Sequence, residues 1–403
     1  MAELVTVDGV ERVAVDRSRY FAELEAFRAS ARKLGEALLA DGGEGSESPA
    51  GNVVCSAGGL LIGLAMLRAG ASGESAAELD RVLGLPDRHR DEAMNALSAA
   101  LAKYDGDPGK VNPKKPPRKP VMHAAQGLFV EQDVPTGVGY VDMLARHYGT
   151  GVHPVHFADA AATKLALDAW VNRHTGGRIT AAPGDTDPGT TFSLLSTLYF
   201  AAAWCWPFDP YDTSDRTFTL SSGEETEVPT MHQELTPAYA EGPDWRAVDM
   251  PYAKGFVMRL VLPAPGHGPE TITAEHLADI AAALDRAAEV STKISLPRWD
   301  HTSSFDLRKV LVGLGLETTF TTTRDFDAIQ RGLTITRAVQ TASITVAEKG
   351  TVAAAVTRID GMATGVPLEP EQRIDFDRPF RYEIVHTETG LPLVSGIVAD
   401  PRP

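Results

Sequence analysis

The alternation of apolar and polar positions first becomes regular over residues 16–39. Phe21, Leu24, Ala31, Leu34 and Leu38 fall near one stripe there, and Gly42-Gly43 follows as a stop. An amphipathic helix is expected. Residues 52–67 are apolar almost throughout and read as a short strand running into a buried helix. Ser75-Ala76-Ala77-Glu78 has the spacing of a capping box ahead of Leu79, Val82 and Leu83, with Gly84 and Pro86 as the stop, and a second helix is expected to follow to about Tyr104. Residues 159–174 form another helical stretch, with Leu165, Leu167, Trp170 and Val171 apolar and Gly176-Gly177 closing it. From Thr191 onward strands dominate, at residues 192–202, 217–220, 227–231, 256–262, 290–296 and 333–347, with one more helix over 307–316. Residues 382–385 and 393–398 flank Thr387-Glu388-Thr389-Gly390, a hairpin signal. Helices come mainly first and strands mainly later, which predicts an α+β fold rather than alternating α/β.

One segment fits none of these patterns. Glu348-Lys349-Gly350-Thr351 ends an alternating strand and opens the small-residue run Val352-Ala353-Ala354-Ala355-Val356-Thr357. Small side chains in an exposed loop bury little, so the segment is read as a loop able to become a strand. With period two, Thr351, Ala353, Ala355, Thr357, Ile359, Gly361 and Ala363 share one face, uncharged and mostly small. Both charges, Arg358 and Asp360, lie on the other face, so a slip of one residue would bury them. A flexible, Ala-rich linker is the alternative reading.

The 403-residue chain is 43% hydrophobic, enough for a large core, and shows neither an internal repeat nor a clear linker. One domain over residues 1–403 is expected. A net charge of −16 argues against a nucleic-acid partner, whose phosphates need a basic face. No run of eighteen apolar residues predicts a membrane span. Residues 1–16 lack the basic-then-apolar pattern of a secretory leader, so the cytoplasm is the default compartment, with action outside the cell left open. Cys55 and Cys205 cannot build a disulfide framework and are expected as buried free thiols. The spacings of nucleotide loops, nucleophile elbows and zinc helices are missing, and Pro154 separates His153 from His156, so neither catalytic residues, metal nor cofactor is expected. Basic residues concentrate once, over 105–120, where Lys110, Lys114, Lys115, Arg118 and Lys119 lie among five prolines. Proline forbids a helix there. The stretch is expected to be a solvated loop, with an anion or acidic partner site as the alternative.

Taken together, several motifs resemble the serpins, the serine-protease-inhibitor superfamily, from about Asp16 to Pro401. They are Asn52-Val53-Val54-Cys55-Ser56 with the helix after it, Gly70-Ala71-Ser72-Gly73, Trp170-Val171-Asn172 and Thr175-Gly176-Gly177-Arg178-Ile179. Leu198-Tyr199-Phe200, Trp204, Pro207-Phe208, Met250-Pro251-Tyr252 and Leu260-Val261-Leu262-Pro263 continue the series. Leu296-Pro297-Arg298-Trp299, residues 307–326, Asp377-Arg378-Pro379-Phe380 and residues 396–401 complete it. The resemblance implies a serpin fold with three β-sheets, about eight to nine helices and an exposed reactive-centre loop over about 348–374. It implies an inhibitory, prokaryotic-type member that is not an enzyme, forms a covalent complex with a serine protease and is monomeric, with loop-sheet polymerisation as a hazard. The hinge of the loop would comprise Glu348, Lys349, Gly350, Thr351, Ala353, Ala354 and Ala355.

The family's usual spacing from Glu348 puts the reactive bond at Thr364-Gly365. Met362-Ala363 is the next candidate, and counting back from Asp377 gives Leu368-Glu369 as a third. The first two suit elastase-like or subtilisin-like targets. The alternative is a non-inhibitory binding or carrier protein whose loop is only a substrate. Ser56, Ser196, Trp204 and Gln340 would lie in the region where the central sheet opens. The family often has Ser-Pro at Ser56-Ala57, Asn at Ser196 and His at Gln340. Gln340 is expected to bond Ser196, with backbone or water as the alternative.

Overall fold

The computed structural model describes residues 4–7, 10–43, 51–184, 190–351 and 370–402. The central sheet has the strand order β11 (Trp299–Asp306), β12 (Arg337–Ala347), β13 (Gly350–Thr351), β4 (Phe192–Ala203), β2 (Val121–Glu131) and β3 (His153–Val155). A second six-stranded sheet runs β1 (Val53–Cys55), β16 (Leu391–Val398), β15 (Phe380–His386), β9 (Phe256–Pro263), β8 (Trp245–Pro251) and β7 (Ala238–Glu241). A third runs β14 (Gln372–Asp375), β10 (Thr292–Pro297), β6 (Glu225–Leu235) and β5 (Ser214–Thr219). The eight α-helices among the described residues are α1 (Phe21–Asp41), α2 (Ala57–Ala69), α3 (Gly73–Leu83), α4 (Arg90–Ala102), α5 (Val138–Met143), α6 (Ala160–His174), α7 (Ala274–Leu284) and α8 (Leu307–Gly313). None of them is long and apolar enough to cross a membrane.

The expected α+β architecture is present, and its core explains most of the pattern. Residues 57–67 of α2 are all buried, as the absence of a polar face requires. This helix sits between α1 and the central sheet, and its residues belong to one apolar cluster with Leu194 and Leu198 of β4. On the opposite face of the central sheet lies α6. Its Leu167, Trp170 and Val171 pack on Ala125 and Phe129 of β2, Leu195 of β4 and Val339 of β12. One helix thus rests on three neighbouring strands.

Three local expectations are corrected. Helix α3 begins at Gly73, ahead of the supposed cap, and Ser75 is buried in its first turn with its amide donating to Asp325 Oδ2 at 2.9 Å. Glu78 does not cap its own helix. Its carboxylate accepts from the Thr318 amide (2.8 Å), the Thr319 amide (2.8 Å) and the Thr319 hydroxyl (2.9 Å), so it caps a distant turn. Leu165, assigned to the apolar side of its helix, is exposed on α6. Cys55 is buried and Cys205 only half-buried, and both are free.

Candidate functional site

The unusual segment at 348–351 closes a hairpin back into the central sheet. β12 runs parallel to β4 and pairs with it from Arg337↔Ser193 to Ala342↔Leu198. At its far end β12 turns through Glu348 and Lys349, and Gly350–Thr351 comes back antiparallel, opposite Ala347 and Val346. On its other edge the same pair meets Ala203 and Ala202 of β4. Two residues therefore occupy the mouth of a seam that is closed along its lower half. Between these levels, residues 343–345 of β12 and 199–201 of β4 have no partner across the seam among the described residues.

The mouth is built to hold the turn. Gly350 has φ +145°, and a Cβ there would stand 2.0 Å from the Ala202 carbonyl oxygen, so only glycine passes β4 this closely. The Phe208 amide donates to the Glu348 carbonyl (2.9 Å), and the Trp204 amide donates to that of Lys349 (3.0 Å). Trp204 Nε1 donates to the Ala347 carbonyl at 3.0 Å. The buried Glu348 carboxylate accepts from the Thr213 hydroxyl (2.7 Å) and from Arg298 Nε (2.7 Å), with Arg298 Nη2 also bonded. Arg298 is half-exposed, so water screens this pair, and its main effect is to fix the direction of the turn.

Thr351, first residue of the predicted buried face, is 1% exposed. Its hydroxyl shares a hydrogen bond of 2.6 Å with the Tyr252 phenol, whose ring stacks on Trp204 at 4.5 Å. Burial pushes the Tyr252 phenol far above its ordinary range, so it stays protonated and able to bond. Thr351, Tyr252 and Trp204 form a buried seat made of a hydroxyl, a phenol and an indole, none of which is a counter-ion for a charged side chain.

Lower in the seam, Gln340 and Ser196 lie opposite each other in the β12–β4 register. The expected bond between them is not made. The Gln340 amide turns to the start of α2, where its Nε2 donates to the Ser56 carbonyl (3.0 Å) and its Oε1 accepts from the Ser56 amide (2.8 Å). The physical reason is that Ser56, between β1 and α2, has a buried amide that neither element pairs, while its carbonyl takes the Leu60 amide as well, so one amide side chain meets the amide and shares the carbonyl. The Ser196 hydroxyl is buried without a partner among the described residues, as are those of Ser56, Ser193 and Thr197.

The remaining predicted residues separate into two groups. Ala353, Ala354, Ala355, Met362, Ala363, Thr364, Gly365, Leu368 and Glu369 lie outside the described residues. Lys110, Lys114, Lys115, Arg118 and Lys119 are all exposed, on a loop anchored by the buried Pro108, Pro116 and Pro120. No pattern in the sequence assigns a role to Tyr252, Arg298, Thr213 or Phe208. Their backbone neighbours put them within reach of the turn, and no spacing in the chain announces that. Pro207-Phe208, Met250-Pro251-Tyr252 and Leu296-Pro297-Arg298-Trp299 contain three of them as family-like motifs, but none of these motifs places its residue at the turn.

The sheet order, the seam and the turn at its mouth define a serine-protease-inhibitor architecture, and comparison with known proteins agrees. Residues 43–401 match the family described as Serpin (serine protease inhibitor), and the chain belongs to the serpin family. It is 29% identical over 359 residues to an uncharacterized serpin-like protein of Thermococcus kodakarensis, across 87% of this chain and 81% of that one. It is 28% identical to plasminogen activator inhibitor 1 of Bos taurus over 364 residues, 87% of each chain. Among solved structures it is similar to tengpin, a thermophilic serpin in its native state, with a TM-score of 0.81 at 20% identity over 99% of each chain. A thyroxine-binding globulin in complex with thyroxine gives a TM-score of 0.78 at 21% identity, covering 94% of this chain and 100% of that one. The family is described as one of serine protease inhibitors, whose partners are in general serine proteases.

Proposed function

We propose that this protein is a suicide-substrate inhibitor of serine proteases, with the chain that follows Thr351 acting as bait. The target's serine oxygen attacks the carbonyl carbon of a loop peptide bond. The acyl-ester forms as the amine of the downstream residue leaves. Freed from its C-terminal tether, the upstream segment extends the Gly350–Thr351 strand down the seam between β12 and β4. The attached protease is carried along and its catalytic geometry is distorted, which slows hydrolysis of the ester. The intact fold is the stored state, and insertion releases it.

One observation carries this reading: the strand has already begun. Thr351 is seated across from Ala202 and Val346, and the next residues in sequence, Val352 to Thr357, continue the alternation that puts small uncharged side chains on the buried face. Thr364-Gly365 is the favoured reactive bond, with Met362-Ala363 and Leu368-Glu369 as alternatives, and the target is elastase-like or subtilisin-like. The inhibitor works as a monomer, and the same seam accepts another molecule's loop when it polymerises. The test is incubation with a panel of such proteases followed by denaturing electrophoresis. A complex that survives SDS is expected. Cleavage of the loop by every member without any complex would leave the substrate-only, carrier-type reading in its place.

A further inference from the structure

We propose that Arg178 is a clasp that holds α6 across the seam and sets the rate at which a strand can enter it. This rests on the insertion reading above and names a residue that regulates it.

Helix α6 is tied to both sides of the seam on one row of the central sheet. On the β2 side, His174 near the end of α6 has its Nδ1 2.7 Å from His123 Nε2, and the two rings stack 4° from parallel. His123 pairs with Tyr199 of β4. On the β12 side, Arg178, just past α6, donates from Nη2 to Thr345 Oγ1 (2.6 Å) and Ser343 Oγ (3.1 Å), and from Nε to Ser343 Oγ (3.3 Å). The Thr345 hydroxyl in turn donates to Asp300 Oδ1 of β11 at 3.0 Å, and Asp300 stands 3.5 Å from Arg178 Nη2. Ser343 is one residue beyond the last paired level, Ala342↔Leu198, and so lies on the row of Tyr199 and His123.

A strand lowered from Thr351 reaches residues 345–343 first. Entry of one strand moves β12 away from β4 by about 4.8 Å, the normal spacing of neighbours in a sheet. β2 stays with β4 through ten consecutive pairs. A hydrogen bond of 2.6 Å cannot stretch by that amount, so a helix held on both sides must let go of one. The His123–His174 contact lies on the side that does not move relative to β4. Arg178 is on the side that does. A second tether to β12, from Arg337 to the carbonyls of Pro183 and Gly184, lies at the closed bottom of the seam and is met last.

The experiment uses a labelled synthetic peptide with the sequence of residues 352–364, added to the intact protein, and follows its incorporation over time. Arg178→Ala is expected to speed incorporation about tenfold or more, the scale of a lost charge-assisted hydrogen bond. Arg178→Lys, which keeps one charged donor, should fall between. Ser343→Ala with Thr345→Ala should reproduce the acceleration from the strand side. Adding Arg178→Ala to that pair should then give little more. A general loosening of the fold would make the changes additive and would not be relieved by lysine. If wild type incorporates the peptide and Arg178→Ala does so at the same rate, the clasp is wrong and the insertion reading stands. If wild type never incorporates it, the insertion reading itself fails.

Discussion

Replacing Thr351 with arginine separates seating of the turn from cleavage of the loop. Thr351 is 1% exposed, and its hydroxyl is the hydrogen-bond partner of the buried Tyr252 phenol at 2.6 Å. Arginine at this position loses that bond and leaves the phenol unsatisfied, at a cost of about 1–3 kcal/mol. Its guanidinium must also leave water in a seat walled by Trp204 and Tyr252, and the carboxylate of Glu348 in the same turn already binds Arg298. Desolvating an unpaired charge adds several kcal/mol. Even a combined ~3 kcal/mol lowers the seated population more than a hundredfold at about 1.4 kcal/mol per decade. Insertion starting from the seated turn slows by the same factor, while hydrolysis of the acyl-ester is untouched. The expected product is therefore cleaved protein and active protease in place of the trapped complex, with the same bond cut. The assay is titration of protease activity against added protein, with denaturing electrophoresis of each mixture. Thr351→Ser keeps the hydroxyl and should still trap. A Thr351→Arg protein that titrates protease one-to-one like wild type would refute the role given to the seat.

Gln340→Ala leaves the Ser56 amide buried and unpaired and its carbonyl with the Leu60 amide alone, so it should cost about 1–3 kcal/mol, lower the thermal midpoint and raise the polymer fraction on native gels. An unchanged midpoint and monomer content would remove Gln340 from the closure of the seam. Acid should destabilise the intact fold through the buried His301 and His386 and the half-buried His174, since desolvation pulls all three down to about 4. The unfolded chain takes up these protons near pH 6.5 and the folded chain does not until about 4. Stability is therefore full above about pH 6.5 and falls as the pH drops towards 4. Thermal scans across this window should show the fall, and His301→Gln should make it shallower. A flat midpoint from pH 7 to 4 would contradict the burial argument.

How much of this was legible beforehand depended on how cleanly each element's surroundings impose a period. The buried helix α2 and the hairpin β15–β16 were readable because their apolar residues face a single environment or a uniform core. β2 was not read as a strand, because α2 lies on one side and α6 on the other, and His123, Gln126 and Gly127 break the alternation. β11 was missed because it buries His301 and Ser303 alongside Trp299 and Phe305, so its inward face is half polar. At the site, the two-faced pattern after Gly350 was visible in sequence, and its first buried member is Thr351. The seat that receives it was invisible, since Tyr252, Trp204 and Thr351 are brought together only by the sheet order. Glu78 shows the converse, where a local spacing that suggests a cap serves a turn more than two hundred residues away.

The central claim is that a cleaved loop carries its protease into the seam as a covalent ester. Its most direct measurement is the mass, under denaturing conditions, of the product formed with an elastase-like or subtilisin-like protease. The expected mass is that of the protease joined to this chain up to the reactive bond, residues 1–364 for cleavage at Thr364-Gly365, with the remaining C-terminal peptide released. A spectrum holding only free protease and both fragments of the cleaved chain, across the whole panel, would contradict it.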